Sequence, residues 1–350
     1  MDAQFKKEVL AAAIAAPSAD NSQPWRFAWR SDALDLYIDP ARAGGPSDAR
    51  FLLSDLATGA CLENILIRGR SLGHEADIDL LPGNDELWVA RVRWRAAPAN
   101  DTALAAAIPA RHTDRRFPWR GPIRSNVRAR LQAQASGFPG IALHWFESNA
   151  ERRAALAAMF RAESLRFRSA MLRAELFSSI RFDRGWRAGT EEGLAPSTLA
   201  VEVPIRPLFQ LLRHPAAMAA IRGIGGAALL GFRSAVVPVR LSPGLCLLSS
   251  AGTDRAAVVT AGRVLERVWL QATAEGLAVQ PFAAAGVLSF GLVKLGSQFD
   301  ADISRLQALM RELTPGWHGL IFLRLGRAAT PARWRGGRRP PGDFEVVDEA

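Results

Sequence analysis

The chain carries an internal repeat, and this repeat restricts the fold more than any other feature of the sequence. Residues 58–73 (TGACLENILIRGRSLG) align without a gap over residues 261–276 (AGRVLERVWLQATAEG), at a constant offset of 203 positions. Two apolar helices that both end in glycine can match by chance, so this pair alone does not establish a duplication. The flanking elements follow in the same order in both halves, which favours a duplicated α+β unit.

Hydrophobic periodicity predicts the elements of the two units. The first unit, residues 1–108, is predicted to contain a helix over 3–16, a hairpin over 25–39, a helix over 54–72 and a strand over 86–96. The second unit, residues 109–350, repeats this order, with helices near 125–135, 254–275 and 302–313 and strands over 141–146, 244–250 and 319–326. Residues of about 160–240 have no counterpart in the first unit and are predicted to form a largely helical insertion, a candidate lid.

Composition places the chain in the soluble, globular class. Apolar residues make up 49% of the 350 residues, and no run approaches the roughly 20 apolar residues of a membrane span. We therefore expect no membrane partner. The first 20 residues resemble a signal peptide, but their alanine-dominated run and Glu8 favour an amphipathic helix of the mature protein. Cys61 and Cys246, the two cysteines, lie far apart in apolar segments, which predicts buried thiols and a cytoplasmic location.

The net charge of +10 comes almost entirely from arginine, because lysine occurs only at positions 6, 7 and 294. Most of the arginines are scattered along the chain, which is more typical of a solvated surface than of a nucleic-acid interface. We therefore expect no nucleic-acid partner. The five histidines show no zinc-binding spacing, and two cysteines cannot form a thiolate site, so no metal site is predicted.

A dense polar turn, APSADNSQPW, interrupts the chain at residues 16–25. Proline, serine, aspartate and asparagine end helices and form turns in any protein, so the segment can be read as a simple turn. The alternative is that its backbone and short side chains face a ligand.

A second segment, RHTDRRFPWRGPI, covers residues 111–123. Arg111, Thr113 and Arg115 alternate, so an extended backbone places these three side chains on one face. Two guanidinium groups and a hydroxyl on one face suit a phosphate. The alternative is a basic linker between the two units.

Together, the QPW turn and the R-x-T-x-R-x-F segment resemble those of the flavin-dependent nitroreductase family. The C-terminal RRPPGDFEVV resembles the end of family members as well. The resemblance spans most of 1–145 and 244–347. It implies a nitroreductase-like fold, FMN as cofactor, NAD(P)H as co-substrate and chemistry carried out by the flavin, without a catalytic side chain.

The resemblance also implies roles for individual residues. Arg111 and Thr113 resemble the phosphate and ribityl contacts, and Arg115 resembles the basic residue beside the flavin pyrimidine, where positive charge favours the reduced ring. Pro17, Ser18, Asn21 and Gln23 resemble the wall of the flavin site that the partner subunit supplies in the family. Pro281, Phe282 and Ala283 resemble the backbone beside the flavin. Arg338 or Arg339 resembles the C-terminal phosphate ligand. Arg333 and Arg335 compete for the last of these roles.

The order of the two motifs departs from the family pattern, because here the arginine segment follows the QPW turn instead of preceding it. The first unit has the turn and the second unit has the arginines, so a chain that folds as an internal pseudo-dimer would unite them at one site. We therefore predict a fused, two-unit FMN protein, either a monomer or a further homodimer. Its predicted function is NAD(P)H-dependent two-electron reduction of a small electrophile such as a nitro compound, quinone or enone. The alternative is FMN storage or sequestration without turnover.

Overall fold

A computed structural model describes residues 1–345 and contains two four-stranded antiparallel sheets. The strand order is β1-β2-β4-β3 in the first sheet and β5-β6-β8-β7 in the second. The strands are β1 (Trp25–Trp29), β2 (Ala33–Ile38), β3 (His74–Leu80), β4 (Trp88–Ala96), β5 (Ile141–Trp145), β6 (Gly244–Ser250), β7 (Ala278–Phe282) and β8 (His318–Gly326). Each strand of the first sheet thus has a counterpart at the same place in the second, and the α+β duplication is a property of the fold.

The helices extend the same correspondence. They are α1 (Ala3–Ile14), α2 (Leu52–Ser71), α3 (Thr102–Ala107), α4 (Ser125–Ser136), α5 (Asn149–Arg168), α6 (Ala170–Ser179), α7 (Arg206–Leu211), α8 (Pro215–Arg222), α9 (Gly226–Gly231), α10 (Val237–Arg240), α11 (Arg255–Ala274), α12 (Ala284–Ser289) and α13 (Asp300–Leu313). Helix α1 packs on α2 as α4 packs on α11. Side-chain caps fix several starts: Asp2 accepts from the Phe5 amide, and Asp254 accepts from the Ala257 amide.

The two units meet through α2 and α11, the helices of the sequence repeat. A methyl group added to Gly59 would lie 2.0 Å from the carbonyl oxygen of Val259, and one added to Gly262 would lie 2.2 Å from that of Leu56. These two contacts interchange under the offset of 203 positions, as contacts across a two-fold axis do. The glycines matched in the sequence therefore mark the place where the two backbones come closest.

Two loops of the first unit are expanded into helical segments in the second. Residues 30–32 join β1 to β2, whereas residues 146–243, with α5 to α10, join β5 to β6. Residues 81–87 join β3 to β4, whereas 283–317, with α12 and α13, join β7 to β8. The insertion therefore begins near residue 146, earlier than the 160 expected from the sequence, because α5 already belongs to the connection between neighbouring strands.

Most predicted elements form close to their expected bounds, but strands β3 and β7 and helices α3 and α12 were not predicted. Strand β3 alternates Ala76, Ile78 and Leu80 with acidic residues, which is the pattern of a half-exposed edge strand. Helix α3 is only one and a half turns long and packs against both α2 and α11. Cys61 and Cys246 are buried free thiols, as predicted.

The C-terminal part of the chain returns to the first unit. The Phe27 amide donates to the Phe344 carbonyl at 2.8 Å, and Glu345 bridges Phe27 at the outer edge of β1. Phe344 is fully buried and packs near the rings of Trp25 and Phe27. The expected end of the second unit at residue 350 lies outside the described residues.

No single helix in the described chain, residues 1–345, is both long and apolar enough to cross a membrane. The helical pair Pro215–Ile221 and Gly226–Arg240 reaches that length only when taken together, across a bend of 99°. Within the same residues no group of three or more histidine, cysteine, aspartate and glutamate side chains is arranged to hold a metal ion.

Candidate functional site

A cavity of about 350 Å³ lies between the two units. The first unit contributes the polar turn and the start of α2, and the second contributes the arginine segment, α11, β7 and α12. The helical insertion closes another side with residues between Glu163 and Pro238. Seven of the predicted flavin contacts line this cavity: Pro17, Ser18, Thr113, Arg115, Pro281, Phe282 and Ala283.

The polar turn adopts a backbone that few side chains favour. Asp20, Asn21 and Gln23 have φ of 49°, 56° and 54°, in the left-handed region. The Ser18 hydroxyl accepts from the Gln23 amide at 2.9 Å, which closes the turn. Left-handed backbone at three positions within four residues costs folding free energy and persists only where its surroundings hold it.

Those surroundings come from the second unit. The side-chain amides of Gln23 and Asn21 both donate to the Glu191 carbonyl, at 2.8 Å and 3.2 Å. Arg338 donates to the Asn21 side chain, and the Arg339 amide donates to the Gln23 side chain. Asn21 and Gln23 therefore lie behind the cavity wall and hold Pro17 and Ser18 in place, instead of lining the cavity as predicted.

Arg111 also lies outside the cavity lining. Its Nη2 donates to the Ala15 carbonyl at 2.8 Å, and its guanidinium stacks over the Trp269 ring at 4.6 Å. Its Nε lies 3.2 Å from Glu266 Oε1, an ion pair without the alignment of a hydrogen bond. Burial lowers the pKa of Arg111 and raises that of Glu266 to about 7. In this arrangement Arg111 is committed to the protein and does not face a phosphate in the cavity.

The C-terminal arginines also bind protein groups. Arg338 donates to the carbonyls of Ile14, Ala15 and Ala16 and so caps the C-terminal end of α1. Arg339 lies over the Phe344 ring at 4.3 Å. Neither lines the cavity, and the competing Arg333 and Arg335 do not line it either.

Thr113 and Arg115 reach the cavity because the arginine segment runs along the free edge of β7. Thr113 bridges Val279 in parallel, and the Asp114 amide donates to the Val279 carbonyl at 3.0 Å. The side chains of residues 113 and 115 then emerge on one face, as their alternation predicts.

Arg115 is the cation of the cavity without a contacting partner. Its side chain is half-buried and lines the cavity, and within residues 1–345 it makes no hydrogen bond or salt bridge. Burial lowers its pKa, while Asp20 and Asp114 raise it and Arg166 lowers it further. A half-buried guanidinium that borders a cavity without a protein acceptor has its donors free for a bound anion.

The other two arginines of the cavity lining differ in how closely they are paired. Arg233 pairs with Glu202 at 2.8 Å, and Arg166 lies 3.9 Å from both Asp20 and Glu163. Burial raises the pKa of Glu163, which favours its neutral form. The polar end of the cavity therefore presents two arginines, 115 and 166, to a bound anion.

A buried arginine fixes the floor of the site. The Arg324 guanidinium, fully buried on β8, donates to Gln280 Oε1 at 2.8 Å, to the Arg116 carbonyl at 2.6 Å and to the Pro238 carbonyl at 3.0 Å. Burial lowers its pKa to about 9. It thus joins β7, the arginine segment and the end of the insertion.

Sequence reasoning did not identify Arg166, Trp269 and Gln280 as cavity residues. Arg166 is one of several arginines on α5 and carries no distinguishing signal. The alignment at offset 203 does mark Trp269, because its counterpart in the first unit is the much smaller Leu66. Within the insertion, residues 181–189 do not line the cavity, since Trp186 packs on Phe182 and Phe209.

Comparison with known proteins found relatives in Mycobacterium tuberculosis. A protein named "Putative NAD(P)H nitroreductase" is 33% identical over 141 residues, which are 39% of this chain and 40% of the relative. Another of that name, acg, is 29% identical over 206 residues, 55% of this chain and 57% of its own length. An uncharacterized protein is 25% identical over 340 residues, 94% of this chain and 47% of the relative. The chain thus spans about half the length of the curated relatives that it matches.

No protein-family profile matches the chain. Among solved structures, a nitroreductase with bound FMN from Desulfitobacterium hafniense covers 71% of this chain and 98% of its own, with 16% identity and a TM-score of 0.37. An FMN-dependent nitroreductase from Mycobacterium smegmatis in complex with NADPH covers the same shares, with 14% identity and a TM-score of 0.37. The sequence relatives confirm the resemblance that the QPW turn and the arginine segment predict: this chain is similar to proteins named as NAD(P)H nitroreductases.

Proposed function

We propose that this protein is an FMN-dependent oxidoreductase that uses NAD(P)H to reduce a small electrophile of the nitro, quinone or enone type. The relatives in sequence are named for NAD(P)H-dependent nitroreduction. The cavity between the units, at about 350 Å³, falls in the range of roughly 300–1,000 Å³ typical of cofactor sites.

The observation that carries the proposal is Arg115. A half-buried guanidinium, without a hydrogen-bond acceptor among residues 1–345, faces the cavity beside Thr113. An anionic cofactor would supply the missing acceptors, and charge-assisted hydrogen bonds to it are stronger than neutral ones. The residues present therefore fit FMN.

In this proposal, Arg115, Thr113 and Arg166 hold the anionic parts of the cofactor, and Pro17, Ser18 and the 281–283 backbone enclose it. Bound there, FMN would accept two electrons from NAD(P)H and deliver them to the acceptor. Apolar side chains of the insertion, such as Phe209 and Leu199, exclude water from the remaining volume. No side chain is required as an acid or base.

The FMN site can be tested on the purified full chain. We expect flavin absorbance bands, one FMN per chain, and bleaching of the bands when NADPH is added without oxygen. Arg115→Gln should weaken FMN binding roughly 30-fold, or about 2 kcal/mol, because the positive charge that attracts the anion is lost. Arg120→Gln, an exposed arginine of the same segment, is the matched control and should bind like wild type. Equal FMN affinity of the two variants would show that Arg115 does not contact the cofactor.

FMN storage without turnover is the alternative, and one observation favours it: the insertion supplies much of the cavity lining and encloses the site. A storage protein would bind FMN at the same stoichiometry. Its bound flavin would not be reduced and reoxidised repeatedly when NADPH and a nitroaromatic or quinone acceptor are both supplied. Multiple turnovers under these conditions would exclude storage as the main activity.

A further inference from the structure

The exposed apolar side chains of this protein are concentrated on one part of the insertion. Of the ten large apolar side chains exposed within residues 1–345, eight lie between Val203 and Leu241. Ile224 is 80% exposed and Leu229 is 66% exposed. Scattered exposed leucines need no explanation, but a concentration of this kind marks an interaction surface.

The helices that carry these side chains are already packed on their other faces. Phe209 on α7 and Leu212 directly after it pack into an apolar cluster with Phe177, whereas Leu208 and Leu211, three residues apart, are exposed. On α9, Leu230 packs into the same cluster and Leu229 faces outward. The exposed face is therefore a second apolar surface, and the inner cluster does not need it for its own burial.

The charge of this segment is of a single sign. Between Glu202 and Asp254 the sequence contains five arginines and no aspartate or glutamate. Arg213 and Arg240 are exposed, whereas Arg233 is bound to Glu202. Apolar side chains mixed with cations, without any acidic residue, are the composition of segments that lie in a membrane interface.

The shape also fits a surface and not a span. The helices Pro215–Ile221 and Gly226–Arg240 are apolar enough for lipid only in combination, and a 99° bend separates them. Short helices joined at such an angle can lie in the plane of an interface with their apolar side chains inserted.

We propose that residues 203–241 dock this protein on an anionic lipid surface. Anionic headgroups complement the arginines, and the exposed leucines and isoleucine enter the outer acyl region. A second copy of the chain is a poorer partner for this face, because two cationic segments without acidic residues would repel each other. The proposal revises the sequence-based expectation of no membrane partner, and it does not depend on the proposed FMN chemistry.

The test is co-sedimentation of the full-length protein with vesicles. We expect binding to vesicles of phosphatidylglycerol and phosphatidylcholine, at least about tenfold weaker binding to pure phosphatidylcholine, and release at high salt. The triple variant Leu208→Asp, Leu211→Asp, Leu229→Asp should lose binding by about tenfold or more, because exposed positions tolerate the change while the apolar contact is removed.

Met171→Asp, at an exposed methionine outside the segment, is the matched control and should bind like wild type. Retained circular dichroism and an unchanged unfolding midpoint would show that the triple variant is folded. The proposal would be overturned if the wild-type protein did not bind anionic vesicles, or if Met171→Asp lost binding as much as the triple variant. It would also be overturned if the wild-type protein were a dimer that did not bind vesicles and the triple variant were a monomer.

Discussion

The two units share one framework of strands and helices and differ in the length of the connections between their strands. In the first unit, residues 30–32 connect β1 to β2. In the second unit, residues 146–243 connect the equivalent strands β5 and β6 and contain six helices. The strand order is the same in both units, and their matched helices α2 and α11 pack against each other. The difference teaches that the framework alone does not create the cavity, since the cavity lies where the insertion covers the second unit.

The edge strands show the same contrast. Strand β3 leaves Asp77 and Asp79 exposed at the edge of its sheet, a common protection of an edge against further pairing. At the equivalent positions of β7 stand Gln280 and Phe282, which line the cavity, and the arginine segment covers the edge. A phosphate placed at β3 would meet two carboxylates, so we expect one FMN site per chain.

The contact between the units gives the largest expected effect. Gly59→Ala and Gly262→Ala should each cost about 3 kcal/mol or more of unfolding free energy, because the added methyl would overlap a backbone carbonyl. Similar losses in the two variants, measured by urea unfolding, would support the two-fold relation. Gly137→Ala, where a methyl group meets no atom within 4 Å, is the control and should change stability by less than about 1 kcal/mol. Unchanged stability in either interface variant would contradict the close approach.

The two matched glutamates give the next comparison. Glu63 accepts from Arg263 and Arg267, both at 2.8 Å, whereas within residues 1–345 neither oxygen of Glu266 accepts a well-aligned hydrogen bond. Burial raises the pKa of Glu266 from about 4.5 to about 7, so the folded state binds the proton more tightly than the unfolded state. This group should therefore remove stability as the pH rises from about 4.5 to 7, by up to about 3 kcal/mol.

Glu266→Gln should abolish that decline in a series of urea unfolding curves between pH 4.5 and 8. Glu63→Gln should retain the decline and lower stability by about 2 kcal/mol, because two arginines lose a hydrogen-bonded carboxylate. A wild-type pH profile in Glu266→Gln would show that another group titrates.

The smallest expected difference concerns the edge strands. Gln280→Ala should cost about 1–2 kcal/mol, since Arg324 Nε would be left buried without its acceptor. Asp77→Ala, the equivalent change in the first unit, should stay within about 0.5 kcal/mol because the side chain is exposed. Thermal or urea unfolding of the two variants measures the difference. Equal losses of stability would show that Gln280 on β7 contributes no more to folding than Asp77 on β3.

The sequence predicted the framework well because its signals are local. The glycine-bounded helices and the alternating strands form within a few residues of their predicted bounds, but one outer strand of each sheet, β3 or β7, was not predicted. The start of the insertion was misplaced, since the periodicity of α5 does not reveal which strands it connects. The 1–108 and 109–350 boundary stays a prediction.

The site was predicted in part, because motif spacing reports which face a side chain takes but not what it meets there. Thr113 and Arg115 reach the cavity as their alternation requires. Arg111 has the same spacing, but a buried carboxylate, Glu266, and the end of α1 hold it instead. Such partners lie more than 90 residues away in sequence, where no local pattern identifies them.

The return of the C-terminal residues to the first unit affects the order in which the protein can form during synthesis. Arg338 caps Ala16 across 322 positions of chain, and Phe344 completes the core beside Trp25 and Phe27. A first unit leaving the ribosome therefore has an open strand edge and an uncapped helix until almost the whole chain has been translated. The cavity wall that depends on these contacts is assembled last, and the nascent chain must be protected from aggregation until then.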